Sequence, residues 1–255
     1  MKILLTVAYD GTNFFGWQKQ NEQITIQEEL ENALSKVYGK PIAVRGASRT
    51  DTGVHAKGQR AMFEIEQNNI PLHKLPLAIN NQLPRTIKIF KAVEVPADFH
   101  PQYQAKNKTY VYQIYNANIL DPVYNNYAWH VKPVLDIKKM QAAAQYLIGE
   151  HDFNAFCAAG SSVKSTIRTI YSIDISQVNN LVTIRINGNG FLYNMVRILA
   201  GTLSYIGYGK LSVGDMQTIL ASKDRTTGGI TAPPEGLSLL HINYDLFPEE
   251  QNGIV

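Results

Sequence analysis

The chain of 255 residues contains one cysteine, Cys157, and two tryptophans. A single thiol excludes an intramolecular disulfide framework and a thiolate zinc cluster, and it suits a reducing compartment, so a cytoplasmic protein is expected. None of the six histidines stands in His-x-x-x-His spacing and no Cys-x-x-Cys pair exists, which removes the common zinc patterns. Long apolar runs are also missing. The longest, Phe191 to Tyr208, is interrupted by Asn194, Arg197, glycines and serine, and reads as a buried helix rather than a membrane span. Met1 to Asp10 has too short an apolar stretch for a signal segment and reads as a first strand. No Gly-x-x-x-x-Gly-Lys loop is present, so no nucleotide cofactor is expected. Charge is sparse, at 18% of residues and a net +3, which permits nucleic-acid binding without requiring it.

What is present is an ordinary globular composition. Hydrophobic residues make up 45%, enough to build a core without metal or disulfide staples. Residues 2 to 8 alternate like a strand, and Thr25-x-x-Glu28 forms a capping box opening a helix from Ile26 to Tyr38. Strand-like runs follow at 42 to 47 and 59 to 65, then a short helical pattern from Leu72 to Leu83, then a strand from Ile87 to Val95. That order, β-α-β-β-α-β, is the split βαβ arrangement of the ferredoxin-like fold. The remainder repeats it more loosely. A strand at 109 to 115, a helix from Asp136 to Ile148 stopped by Gly149, a hairpin of 167 to 176 with 181 to 187, two helices near 192 to 205 and 212 to 221, and a strand at 237 to 244 are expected. The class is therefore α+β, with two ferredoxin-like-derived halves, residues 1–100 and 101–255, whose antiparallel sheets lie side by side with the active-site cleft between them.

The stretch Gly46-Ala47-Ser48-Arg49-Thr50-Asp51-Thr52-Gly53 leaves an apolar strand for polar, glycine-bearing chain, where functional loops concentrate. In extended chain Arg49 and Asp51 point the same way, and an adjacent guanidinium favours an ionised carboxylate. From spacing alone, a structural ion pair at a strand end is the simpler reading, and a preorganised nucleophile or base is the other.

Arg49-Thr50-Asp51-x-Gly53-Val54-His55-Ala56 resembles the nucleophile segment of the tRNA pseudouridine synthase A family. Tyr9-Asp10-Gly11 with Gly16-Trp17-Gln18-x-Gln20 stands upstream as that family's first segment does, and Lys108-Thr109-Tyr110-x-Tyr112 resembles its third. Gly190-Phe191-Leu192-Tyr193-x-Met195-Val196-Arg197 and Thr231-Ala232-Pro233-Pro234-x-Gly236-Leu237 continue the series in family order. Two positions depart from it: Gln102 stands where the family usually has arginine, and Ser238 where it usually has an aromatic.

The resemblance implies a cofactor-free isomerisation of uridine to pseudouridine on the 3′ side of the tRNA anticodon stem-loop, with the target nucleotide flipped out. Asp51 would be the nucleophile, attacking C6 of uracil or C1′ of ribose, and Arg49 and Arg197 would keep it ionised among substrate phosphates. Without the resemblance, Arg197 reads equally well as a residue covering a helix end, and Tyr110 as strand core. With it, Tyr110 stacks on the uracil. Lys108, Lys164 and Arg168, with Lys106, are expected RNA contacts, although each alone reads as solvated charge. His55 reads as a hydrogen-bonded structural residue more simply than as a base. The implied partners are tRNA and a second copy of the chain, with no metal, no membrane and no DNA. A catalytically silent RNA binder would carry a Lys/Arg-Gly-Phe/Tyr-x-Phe strand, which is absent. A metal-free hydrolase would need a second positioned carboxylate or base.

Overall fold

The computed structural model describes residues 1–160 and 163–247. Contacts divide the chain into two compact units: Met1–Lys106 joined by the last strand from Leu239 onward, and Asn107–Ser238. Both are mixed α/β, with strands that pair antiparallel except for one parallel pair in the second.

The first unit contains β1 (Lys2–Tyr9), α1 (Ile26–Tyr38), β2 (Val44–Gly46), β3 (His55–Glu64), α2 (Leu75–Asn80) and β4 (Ile87–Val95). Its strands run in the order β4-β1-β3, with β2 also paired to β3, and β3 takes on its other side the final strand, β10 (Leu237–Asn243). Register follows burial: Leu4 faces Met62 and Val93, and Leu5 faces Ala61 and Ala92, all apolar. Helix α1 begins where the sequence expects. Thr25 Oγ1 accepts from the Glu28 amide at 3.4 Å, and Gly39, at φ 66°, supplies the left-handed C-terminus that a Cβ would strain. Ile26, Leu30, Ala33 and Leu34 form its buried face, at the helical spacing i, i+4, i+7, i+8. Truncating a fully buried Leu30 to alanine costs about 2–5 kcal/mol by this kind of burial.

The second unit contains β5 (Asn107–Asn116), β6 (Trp129–Val131), α3 (Ile137–Ala144), β7 (Gly149–Asp152), β8 (Ile167–Val178), β9 (Leu181–Gly188), α4 (Met195–Gly207) and α5 (Asp215–Ser222). The strand order is β5-β9-β8-β7, with the short β6 lying parallel to β5. The expected hairpin is present, closed by Asn179 and Asn180, with Asn179 at φ 53° as tight hairpin turns demand. Helix α4 is buried on nearly every side. Only Arg197 and Tyr205 reach beyond its core, and its hydroxyls are satisfied internally, Thr202 donating to the Ile198 carbonyl and Ser204 to that of Ala200, each at 2.8 Å.

The structure revises several expected boundaries. The helix expected to reach Ile148 ends at Ala144, and residues 145–147 tighten into a single 3-10 turn that feeds β7. The helical pattern of 72 to 83 yields only six helical residues, Leu75–Asn80, bracketed by Pro71 and Pro84 and with Pro76 accommodated in the first turn. Strands β6 and β7 were not expected from sequence. No helix among the described residues is long and apolar enough to cross a membrane.

Candidate active site

Asp51 lies on the connection between β2 and β3, in the first unit, and the backbone of an earlier segment holds that connection in place. Trp17 N donates to the Thr50 carbonyl at 3.0 Å, and Gly53 N donates to Phe14 O at 3.3 Å. Val54 N closes a turn onto Asp51 O at 3.1 Å. Thr50 is buried, and its hydroxyl meets the Tyr9 hydroxyl at 2.7 Å. From the opposite side the fully buried Gln59 takes the Ser48 amide at 3.3 Å and donates to the Ser48 carbonyl at 2.7 Å. Two glycines make the crossing possible. Gly16 has φ +80° and a Cβ there would stand 2.6 Å from Thr50 O, while Gly53 has φ 78°. A Cβ at Gly46 would overlap the ring of Trp17, itself 2% exposed. The half-exposed Asp51 is thus presented by a loop fixed on both flanks, as an acting carboxylate requires.

The remaining residues of this segment divide in role. Arg49 is exposed on the loop and makes no hydrogen bond or ion pair among the described residues. His55 is buried and its Nδ1 lies 3.0 Å from Gly11 N and 3.2 Å from Asp10 Oδ1. These contacts tie the start of β3 to the Tyr9-Asp10-Gly11 turn. Lys106, an expected RNA contact, is engaged by Asp245 at 2.7 Å.

In the second unit, β5 carries Lys108 and Tyr110 on one face, two residues apart. Tyr110 is 6% exposed and meets Phe191 edge-on, with ring centroids 5.2 Å apart. Lys108 lies opposite Gly188 of β9, and Gly188 lies opposite Ile170 of β8. Arg168, also on β8, has its Nη1 pinned by the carbonyls of Ser165 at 3.0 Å and Ile167 at 2.6 Å. A Cβ at Gly190 would come within 3.7 Å of Arg168 Nε. Lys108 keeps some exposed surface but is tightly enclosed, and burial, followed by the Arg168 charge, lowers its ammonium pKa to about 8. Burial likewise lowers Arg168. Lys108, Arg168, Tyr110 and Phe191 therefore converge, whereas Lys164 is exposed on the chain leading into β8.

Arg197 sits in the first turn of α4 and is held, not loose. Its Nε donates to the Ala232 carbonyl at 2.7 Å and its Nη1 to Asn194 Oδ1 at 2.8 Å, while Ala232 N donates back to Arg197 O at 3.1 Å. Asn194 adopts φ 58°, a left-handed conformation that asparagine tolerates. The segment holding Arg197 is tied down in turn by the buried Tyr112, whose hydroxyl donates to Pro233 O at 2.8 Å. Burial raises the Tyr112 phenol far above its usual range, so it is a permanent donor. Ser238, one of the departures, has an enclosed Oγ without a partner. Sequence reasoning missed Gln59, Asn194 and Phe191 as organisers of the site. Gln59 inside an apolar strand run was the one local signal. No group of three or more His, Cys, Asp or Glu able to hold a metal ion occurs among the described residues.

The first unit holds a clamped carboxylate, and the second an aromatic face flanked by cations. A family model described as tRNA pseudouridine synthase matches residues 5–104 and 143–245. Similar proteins include the tRNA pseudouridine synthase A of Thermoanaerobacter sp. (strain X514), 50% identical over 95% of this chain and 99% of its own length. Those of Ruminiclostridium cellulolyticum and Caldicellulosiruptor saccharolyticus are 50% and 46% identical, each over 95% of this chain and 99% of their own. The chain belongs to the tRNA pseudouridine synthase family.

Proposed function

We propose that Asp51 is the nucleophile by which this protein, an isomerase of tRNA, turns uridine into pseudouridine. The observation that carries the reading is the fixed presentation of Asp51 within a segment that matches the family from end to end. In the reaction the uracil base leaves C1′, turns, and rejoins the ribose through C5. An ionised carboxylate attacks C6 of uracil or C1′ of ribose, and both routes need the nucleotide flipped out of its stack. Phosphates around the site raise a carboxylate's pKa, which gives nearby cations a task. Arg197, oriented by Ala232 and Asn194, and Arg49, uncommitted on the loop, are assigned to it. Tyr110 is assigned to stacking on the uracil, supported by its rigid placement against Phe191. Lys108, Arg168 and Lys164 are assigned to substrate phosphates, with the Lys108–Arg168 pair supporting this best, because two enclosed cations are relieved by an anion.

The substrate region is the anticodon stem-loop, the working form a homodimer and the compartment the cytoplasm, as the resemblance implies. The two-half ferredoxin-like reading, residues 1–100 with the nucleophile segment and 101–255 with Tyr110 and Arg197, is supported by strand order. In the first unit β4-β1-β3 is followed by β2 and β10, both paired to β3, and the second contains β5-β9-β8. The test is incubation of the purified protein with unmodified tRNA transcript, followed by pseudouridine mapping, for wild type, Asp51→Asn and Asp51→Ala. Product from wild type and none from either variant is expected. Product from Asp51→Ala at the wild-type rate would remove Asp51 from the mechanism.

A further inference from the structure

A second feature of the first unit is outside the Asp51 loop. After β4 the chain makes a tight turn closed by its own side chains: Gln102 N donates to His100 Nδ1 and His100 N donates to Gln104 Oε1, each at 3.2 Å. Gln104 N completes it on His100 O at 3.2 Å. The turn stacks Tyr103 on His100, with ring centroids 4.2 Å apart and planes 26° from parallel, yet leaves Tyr103 79% exposed. One face of the Tyr103 ring is thus covered by His100 while most of its surface is open to solvent. Lys2 of β1 and Arg45 of β2 reach the same place. Lys2 Nζ donates to the Phe99 carbonyl at 3.0 Å and lies 3.8 Å from Glu64, while Arg45 is exposed. Burial, then the charges of Arg45 and Lys2, lower the His100 pKa. The ring is thus neutral at pH 7, and with Nδ1 accepting, Nε2 carries the proton as a donor without a partner among the described residues. The nearby carboxylates are Glu64, on Lys2, and Asp98 and Asp245, the latter engaged by Lys106.

We propose that the His100–Tyr103 stack, with Arg45 and Lys2, is a second tRNA-binding site that grips backbone phosphate and the face of one base or ribose away from the reacting uridine. Phosphate meets Arg45, Lys2 and the His100 Nε2–H. The open face of Tyr103 takes the planar group, as aromatic side chains do in RNA recognition. This rests on the tRNA substrate of the proposed function, but it concerns binding and not chemistry.

The test compares wild type with Tyr103→Ala, Tyr103→Phe, Arg45→Gln and Gln102→Arg. For each, Kd for an unmodified tRNA transcript is measured across a salt series, with kcat and KM for pseudouridine formation. Tyr103→Ala should raise Kd and KM by about five-fold or more, since base stacking on an aromatic contributes that much or more, and leave kcat within about two-fold. Tyr103→Phe should keep wild-type affinity. Arg45→Gln should weaken binding and flatten the slope of log Kd against log salt by about 0.7–0.9, the value of one phosphate contact. Gln102→Arg should tighten it. Kd and KM unchanged in Tyr103→Ala and Arg45→Gln would overturn the proposal, as would a Phe variant as weak as the Ala variant, or a loss confined to kcat. If wild type made no pseudouridine, the catalytic reading would fail while the Kd comparison still decided this one.

Discussion

Gly16→Ala separates the positioning of Asp51 from the general stability of the fold. Gly16 lies at φ +80°, and an added Cβ would stand 2.6 Å from Thr50 O, 3.1 Å from Asp51 C and 3.2 Å from Thr52 N, all of them backbone atoms that cannot rotate away. Reaching an ordinary contact of 3.4 Å from 2.6 Å demands that one chain give way by about 0.8 Å, and the atoms in its path are those of Asp51 and its two neighbours. The left-handed conformation adds about 1–2 kcal/mol of strain. Gly39→Ala is the control, because Gly39 also has positive φ, +66°, but a Cβ there meets nothing within 4 Å. Both variants should lose about 1–2 kcal/mol in urea unfolding, with Gly16→Ala losing more. Misplacement of a reacting group by about 1 Å costs on the order of 100-fold in rate, so kcat of Gly16→Ala should fall by roughly 30- to 100-fold, with Gly39→Ala near wild type. The assay is single-turnover pseudouridine formation at saturating tRNA, well below both melting temperatures. Equal stability losses with an undiminished rate in Gly16→Ala would refute the view that this crossing fixes Asp51.

Lys108→Met tests the enclosed cation. Its pKa is lowered to about 8 in the fold, so below that pH the folded state carries a charge it disfavours, and between about 8 and the unfolded value near 10.4 the unfolded chain binds more protons. Stability conferred by the site therefore rises with pH across that window, and Lys108→Met should be more stable than wild type at pH 7, with the gap narrowing by pH 10, in urea titrations at the two pH values. Its tRNA affinity should be weaker at pH 7, whereas wild-type affinity should decline as pH rises above 8. A gap that does not narrow would show that Lys108 is not the titrating group. Arg197→Lys keeps the charge but loses the planar fork whose separate Nε and Nη1 reach Ala232 O and Asn194 Oδ1, so kcat should drop by at least about 10-fold with little loss of stability, and an active lysine variant would show that only the charge matters. Tyr9→Phe leaves the Thr50 hydroxyl buried without its 2.7 Å partner, at a cost of about 1–3 kcal/mol, visible as a lower denaturation midpoint.

What was legible in the sequence depended on how local its cause was. Helix α1 was read to the residue because its cap, apolar spacing and terminating Gly39 all lie between Thr25 and Gly39. Strand β4 was bounded by proline-bearing turns at Pro84 and Pro96 and was read equally well. Strands β6 and β7, of three and four residues, are too short to show alternation and exist because β5 and β8 offer edges to pair with. β3 starts at His55, four residues before the expected run of 59 to 65, because Lys57 and Gly58 break the apolar pattern while Ala56 still pairs with Tyr9 of β1. The last strand, expected in the second half, contributes from Leu239 to the first unit, and no local signal encodes a partner so distant in the chain. At the site, Asp51 was visible through its motif. The contacts fixing it were not, since Tyr9 and Thr50 are 41 residues apart and Tyr112 and Pro233 are 121 apart.

These contacts explain why residues without evident chemistry accompany the reactive ones in the matched segments. Tyr9, Gly11, Gly16 and Trp17 bring no acid, base or cation to the reaction, yet they set the path of the Asp51 loop through main-chain bonds and close approaches that larger residues would block. Ala232 and Pro233 do the same for Arg197, one by its own carbonyl and amide, the other through Tyr112. Backbone strain follows the same division. Gly39, Asn179 and Lys223 accept positive φ to end a helix or turn a hairpin, whereas Gly16, Gly53 and Asn194 accept it beside Asp51 and Arg197. Strain of the first kind closes an element, and many residues can substitute at modest cost. Strain of the second kind aims a side chain, so its loss should appear in kcat before it appears in stability, while loss of the His100–Tyr103 surface should appear in KM alone. Two separable kinetic signatures are therefore expected from one chain, according to whether a residue aims Asp51 or contributes to the His100–Tyr103 surface.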